Sequence, residues 1–270
     1  MKTLAKFLSV FKLVLMERLA YRVNFALEIL SGILSSLIVI LLWIAVYRYS
    51  RQPSLGGYTL AEMITYLLGG GLINSFLLTT AENPETSHSI QDGSLSGMLV
   101  RPLSPYWVWF FRDLGSKSFL LLMGLLGYLA VFVSFRGQLV LQLHLPRLFL
   151  CLLAVALAAL LQFLLFEGLS LLSFWLENTY GIRFTMRVMM EVAGGAIIPL
   201  SFFPALLQHL FLLLPFSYLY YLPMRIYLDK MSLLAAGGEL LKEMVWIALL
   251  GFLNLVLWKR GIRQYVAMGD

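Results

Sequence analysis

Charge is scarce in this sequence: 13% of its 270 residues are Asp, Glu, Lys or Arg, against 60% hydrophobic, and the mean hydropathy is +0.86. A soluble domain of this length needs a charged exterior to stay dispersed. That class is therefore excluded, and lipid must be the solvent for most of the chain. Cysteine is nearly absent too. The single one, Cys151, lies inside an apolar run, so no intrachain disulfide forms and it reads as a small packing residue. No G-x-x-x-x-G-K-[ST] motif occurs, which excludes cradling ATP phosphates by that route. In Gly93-Ser94-Leu95-Ser96-Gly97 the position that a hydrolase nucleophile elbow gives to serine is Leu95, so that enzyme reading fails. His88, His144 and His209 are far apart, with His88 expected on the opposite side of the membrane from the other two, which argues against zinc. No solenoid repeat or low-complexity linker divides the chain, and a single domain over residues 1–270 is expected.

What is present is a series of long apolar runs. A membrane helix needs about 20 predominantly apolar residues, and six stretches qualify: Phe25–Tyr47, Leu60–Thr80, Leu114–Phe135, Leu148–Leu176, Val188–Leu214 and Leu240–Trp258. Before them, residues 1–24 set Lys2, Lys6, Ser9 and Lys12 against Leu4, Phe7, Leu8, Phe11 and Leu15 at helical spacing, the pattern of a helix lying in the interface. A signal peptide is the competing reading. Glu17, Arg18 and Arg22 interrupt its apolar region and no small-x-small cleavage site follows. The fifth run carries Pro199, Pro204 and Pro215, each of which removes a backbone donor and clashes with the preceding turn. Broken backbone at membrane depth survives only where protein or a water-filled cavity covers it, so residues 199–223 are expected to form a bent or re-entrant outer element. The expected fold is an all-α membrane protein of six transmembrane helices preceded by an amphipathic interfacial helix.

The formal net charge of +6 does not point to nucleic acid, because the basic residues sit at the ends of apolar runs, where Lys and Arg meet headgroups and set orientation. With the amino terminus inside, the inner side collects Lys2, Lys6, Lys12, Arg18, Arg22, Arg101, Arg112, Lys117, Arg183, Arg187, Lys259, Arg260 and Arg263. The outer side keeps Arg48, Arg51, Arg136, Arg147, Arg225, Lys230 and Lys242. Both termini are expected to be cytoplasmic.

The longest inner loop, residues 82–105, has Pro84 placed to start a short helix, Gly93 to stop it, and Glu85 near its positive end. It reads either as a docking element or as a solvated loop between spans. Glu28, Glu62, Glu167 and Glu191 are acids within or near spans, where such residues face the bundle interior or water. Glu167 follows an apolar run broken only by Gln162 and is a candidate pathway residue. Its alternative is a structural partner of Arg183 or Arg187. Gly69, Gly70 and Gly71, Gly124 and Gly127, and Gly194 and Gly195 allow close helix approach, within the subunit or at a seam.

The run Ile90-Gln91-Asp92-Gly93-Ser94-Leu95-Ser96-Gly97-Met98-Leu99-Val100-Arg101-Pro102-Leu103 resembles the segment that follows the second span in ABC-2 type permeases. The run Gly195-Ala196-Ile197-Ile198-Pro199-Leu200-Ser201-Phe202-Phe203-Pro204, with Leu214-Pro215-Phe216 and Tyr221-Leu222-Pro223, resembles the proline-marked fifth segment of the same family. The resemblance covers essentially the whole chain, and neither motif is specific alone. It implies a permease subunit of an ATP-driven exporter in a bacterial plasma (inner) membrane. Such a permease pairs with an identical or related copy and with two cytoplasmic ATP-binding-cassette ATPases. ATP and magnesium would sit on those partners, with no cofactor on this chain. The family's coupling helix maps onto roughly Glu82 to Ser96, which marks Glu82, Glu85, Ile90, Asp92, Leu95 and Arg101 as coupling residues. Pro199, Phe202, Phe203, Pro204 and Pro215 become an outer gate. Three alternatives stand beside this reading: a secondary transporter, an intramembrane enzyme, and a membrane anchor for an envelope machine. The first usually shows broken helices in both halves, the second needs a nucleophile and base that are not found here, and the third shares the ATPase.

Overall fold

The computed structural model describes residues 9, 11–14, 16, 22–77 and 85–265. The interfacial helix expected over residues 1–24 falls largely outside them, as do Glu82 and Pro84. The described chain is helical, with one isolated bridge between Leu55 and Tyr58. In chain order the helices are α1 (Arg22–Ser50), α2 (Leu60–Leu77), α3 (Glu85–Gln91), α4 (Leu95–Leu99), α5 (Pro105–Phe135), α6 (Leu145–Leu171, extended by a 3-10 turn to Phe174), α7 (Tyr180–Ala193), α8 (Ala205–Leu213), α9 (Tyr221–Tyr227) and α10 (Leu233–Gln264). Four are long and apolar enough to cross a membrane: α1 from Leu30, α2, α6 with its 3-10 turn, and α10. Counting two bent pairs as one span each gives up to six. One is α5, bent by 43° near Leu129, and the other is α8 with the segment Pro215–Tyr227, bent by 80°.

Helix starts follow from local chemistry. Thr59 and Glu62 form a reciprocal capping box at the head of α2, with the Thr59 N–H donating to Glu62 Oε2 at 2.8 Å and the Glu62 N–H to Thr59 Oγ1 at 3.3 Å. Pro105 and Pro146 occupy first-turn positions of α5 and α6, where a missing N–H costs nothing. Ser232 caps α10 by accepting from the Ala235 N–H at 3.2 Å.

Three elements differ most from the sequence expectation, one of them α10, which runs Leu233–Gln264 where Leu240–Trp258 was expected. The third span starts at Pro105, not Leu114, because the charged residues of its first four turns, Arg112, Asp113 and Lys117, are paired within the chain. Lys117, expected at the inner surface, is 1% exposed, with Nζ 2.7 Å from Asp113 Oδ2 and donating to the Ala159 carbonyl at 3.0 Å. The fifth segment begins with α7 at Tyr180, because Asn178 Oδ1 accepts the Tyr180 N–H at 2.8 Å and opens the helix eight residues earlier than Val188.

α6 and α10 run parallel and form the most extensive helix pair. Small residues let them approach. Asn254 Nδ2 donates to the Leu164 carbonyl at 2.9 Å, its Oδ1 fills the space beside Gly168, and the Phe174 ring lies on Gly261. α2 packs on α1 and α5, and α9 on α6. The two ends of the bundle are distinct. At the upper end gather residues 51–59, 136–144 and 199–231: Lys230 Nζ reaches Glu62 at 2.6 Å and the Gly57 carbonyl at 3.0 Å, the Val140 N–H donates to Thr65 Oγ1 at 2.9 Å, and Arg147 binds Asp229 and the Met231 carbonyl. At the lower end lie α3, α4, residues 175–179 and the end of α10.

A side chain at Gly261 must displace the Phe174 ring, whereas Gly251 on the same helix faces open space. We predict that Gly261→Val lowers thermal stability in detergent by about 1–3 kcal/mol, the usual cost of overpacking, and that Gly251→Val changes it by less than about 0.5 kcal/mol.

Candidate functional site

The polar segment at the lower end is more than a solvated loop: the short helix expected to stop at Gly93 is present as α3, and a second short helix follows it. It folds as two short helices, α3 and α4, separated at Gly93, whose φ of +79° is a conformation that favours glycine. The Asp92 carboxylate accepts the Ser94 N–H at 2.9 Å across that turn, which holds the carboxyl below the usual carboxylate range.

Four residues of α3 are buried: Thr86, Ser87, Ser89 and Ile90. Thr86 Oγ1 donates to Glu167 Oε2 at 3.0 Å, while Ser87 Oγ and Thr179 Oγ1 share a hydrogen bond at 3.2 Å. Ser173 reaches the same threonine hydroxyl at 3.4 Å. Gln91 Nε2 donates to the Glu177 carbonyl at 2.7 Å, and Glu85 pairs with Arg112 of α5 at 2.9 Å. From the other side Tyr265 clamps the turn: its hydroxyl donates to the Gly93 carbonyl at 2.8 Å and accepts the Ser96 N–H at 3.2 Å. Beneath lies an apolar cluster in which Ile90 and Leu95 meet Trp109 and Leu171, closed by Phe174, Trp258 and Tyr265. Its rings meet edge to face, Trp109 on Trp258 at 5.9 Å and Phe174 on Trp258 at 6.0 Å.

Two separate expectations converge here. Glu167, singled out as a charge in an apolar run, sits under α3 as the acceptor of Thr86, with Arg183 close enough for a coulombic interaction. Arg183 Nη1 donates to Ser170 Oγ and its guanidinium lies over the Phe166 ring at 5.7 Å. Ile90 and Leu95 face inward onto their own chain, at 7% and 0% exposure. Glu85 is half-buried in its ion pair. The surface turned outward is therefore His88, Asp92, Ser94, Leu99, Val100 and Arg101, with Val100 87% exposed at the tip. Thr179, Glu177 and Tyr265 had no signal in the sequence, since they lie roughly 85 to 170 positions from their partners by chain distance.

At the upper end the proline-marked segment is covered by protein at its two ends, around Pro199 and from Pro215 on, while α8 between them has no buried residue. After α7 the chain turns at Gly194 and Gly195, the latter at φ +80°. The Gly194 carbonyl accepts the Tyr221 N–H at 3.1 Å and the Gly195 carbonyl accepts the Tyr66 hydroxyl at 2.5 Å. Pro199 precedes a single 3-10 turn, Leu200–Phe202. Phe202 packs edge-on to Trp43 at 5.0 Å and over Gly56, and Phe203 meets Phe211 at 5.2 Å. Pro204 is exposed at the head of α8, and Pro215 is buried at the 80° bend. Among the described residues no group of His, Cys, Asp and Glu is arranged to hold a metal.

Removing the Tyr265 hydroxyl takes away both hydrogen bonds of the clamp and leaves its ring in place. We predict that Tyr265→Phe raises amide hydrogen exchange over residues 92–98 by about 5- to 30-fold, the equivalent of about 1–2 kcal/mol, with the exchange of α6 unchanged. The profile of the family described as "ABC-2 family transporter protein" matches residues 33–269. No curated protein matches the chain.

Proposed function

Because the chain belongs to the ABC-2 family of transporter membrane proteins, we propose that it is the six-span permease of an exporter whose α3–α4 segment receives the stroke of a separate ATPase. Membership makes it a multi-pass membrane subunit of transport, not itself catalytic, that works with ATP-binding-cassette subunits. The observation that carries the rest is the mounting of α3 and α4. A lever transmits force only if it is stiffly attached to what it moves, and this segment is tied to α5 by Glu85–Arg112, to α6 by Thr86–Glu167 and to the end of α10 by Tyr265. Beyond its buried face it presents an exposed apolar tip, Leu99 and Val100, beside Arg101. Exposed apolar residues next to charge, on a rigid mount, suit a protein partner.

The lower end is cytoplasmic in this reading, with both termini inside and the proline-marked element outside. The membrane is the bacterial inner membrane, and a second permease copy completes the pathway. Arg187 and Glu191 support the second copy: they face each other at 3.6 Å on α7, each only partly buried, and a charged pair at membrane depth needs water or protein over it. Pro199, Phe202, Phe203, Pro204 and Pro215 shape the outer gate. Their packing makes α8 the part free to move, with Phe202 and Pro215 as its fixed ends.

The docking face is tested at its tip, which makes no internal ion pair, in contrast to Glu85. Leu99→Asp with Val100→Asp should weaken co-purification of the ATPase by about 5- to 150-fold, the effect of losing about 1–3 kcal/mol of interface, while leaving the melting temperature of the permease alone unchanged. Normal co-purification and normal ATP turnover would move the coupling role elsewhere. Orientation is tested by single cysteines in a Cys151→Ala background. Ser87 is buried and unsuitable, whereas Ser54 and Ser94 are exposed at opposite ends. Ser54→Cys should react with an impermeant maleimide in intact cells and Ser94→Cys only after lysis. The reverse pattern would invert the topology.

A further inference from the structure

At the upper end, α8, the turn Pro215–Tyr218, α9 and the first turns of α10 line an open cavity of about 310 Å³. Its lining includes His209, Leu213, Tyr218, Arg225, Glu239 and Lys242. This volume is at the lower end of the ~300–1,000 Å³ typical of small-molecule sites. It is large enough for a headgroup and too small for a whole two-chain lipid.

The charges do not cancel. Lys242 and Glu239 neutralise one another at 2.8 Å. Arg225 donates to the Lys230 carbonyl at 3.3 Å and lies over the Tyr221 ring at 5.2 Å, and among the described residues it makes no ion pair. Glu243, the other acid on this stretch of α10, is fully buried beside Tyr218 and does not line the cavity. The cavity thus holds one guanidinium charge without a counter-ion, with the His209 imidazole beside it.

Its surroundings supply the rest of an amphiphile's requirements. Leu206, Leu210 and Leu213 recur at i, i+4 and i+7 on α8 and are 81%, 51% and 73% exposed, forming an apolar track that starts at the cavity edge. α8 lies at the end of the bundle, and at such an end headgroups meet water and a chain can run along a helix while its head turns inward. We propose that this cavity binds the headgroup of an anionic phospholipid from the surrounding leaflet, with an acyl chain on the α8 leucines. The inference goes beyond the exporter reading and depends on neither the ATPase nor the cargo.

The test uses the full chain in dodecyl maltoside, with dioleoyl phosphatidylglycerol and dioleoyl phosphatidylcholine as probes and native mass spectrometry as the readout. Wild type should prefer phosphatidylglycerol about tenfold or more at one site. Arg225→Gln should abolish that preference and Arg225→Lys should keep it. Glu239→Gln, which releases Lys242 toward the cavity, should tighten phosphatidylglycerol binding, a gain that misfolding does not produce. Arg48→Gln, which removes a cation at the same end but outside the cavity, should have no effect. Equal binding of the two lipids by wild type, a retained preference in Arg225→Gln, a loss in Arg48→Gln, or no tightening in Glu239→Gln would each overturn the proposal.

Discussion

The constraint on which this structure depends is that lipid offers no hydrogen bonds, so every backbone polar group at membrane depth must find its partner inside the chain. Unbroken helices meet it along their length. The interruption after α7 cannot, because Gly194, Gly195 and the prolines release backbone groups from the helical ladder. The protein meets the requirement from two directions, with the Tyr66 hydroxyl from α2 and the Tyr221 N–H from the returning chain, while the Ser201 hydroxyl of the break in turn donates to the Gly56 carbonyl of a neighbouring loop at 2.7 Å. The break is therefore also a junction. It ties the fifth segment to α2 and to the loop after α1, and this is why the upper end forms one block.

A like need for partners explains two of the interior charges, though not Glu243, whose buried carboxyl makes no hydrogen bond among the described residues. Lys117 between Asp113 and the Ala159 carbonyl, and Glu167 beneath Thr86, both sit where a neighbouring helix brings a donor or acceptor within reach. Removing one member of such a pair leaves a buried group uncompensated, whereas keeping both fixes which helix lies beside which. The polar residues of this bundle thus specify its arrangement more than they add to its stability.

Much of the fold was legible because the rules that apply in lipid are few. Apolar run length gave the long helices, and the cluster of Pro199, Pro204 and Pro215 gave the bent segment, since no side chain chemistry rescues a helix from three prolines. Gly93 as a helix stop was readable for the same local reason. What failed was anything decided by a partner distant in the chain. Lys117 looked like a surface cation because its neighbours in sequence include Arg112 and Asp113, and only the approach of Ala159 shows it to be interior. Ile90 and Leu95 looked like anchors for another protein, because an apolar residue in a polar loop has no readable direction until Trp109, Leu171 and Trp258 are placed under it. Tyr265 carried no signal, although it holds the turn at Gly93.

The two ends of the molecule are joined by α6. Its 27 residues span roughly 40 Å as a continuous helix. At its lower end Glu167 and Ser170 lie beneath α3 and beside Arg183, and at its upper end Arg147 binds Asp229 and the Met231 carbonyl, just beyond α9. α10 runs parallel to it, locked on by Asn254 and Gly261, so the two move as one body. A displacement of α3 cannot be absorbed along a packed helix pair, because such interiors are dense and stiff. Beyond that pair lies the bend at Leu214 and Pro215, where α8 meets the returning chain at 80° and presents four exposed leucines, Leu206, Leu207, Leu210 and Leu213. Spatial continuity alone does not establish coupling. A stiff rod tied at both ends, with a bent element hinged beyond it, does meet the mechanical requirement for turning a push on one face of a membrane into a rearrangement on the other.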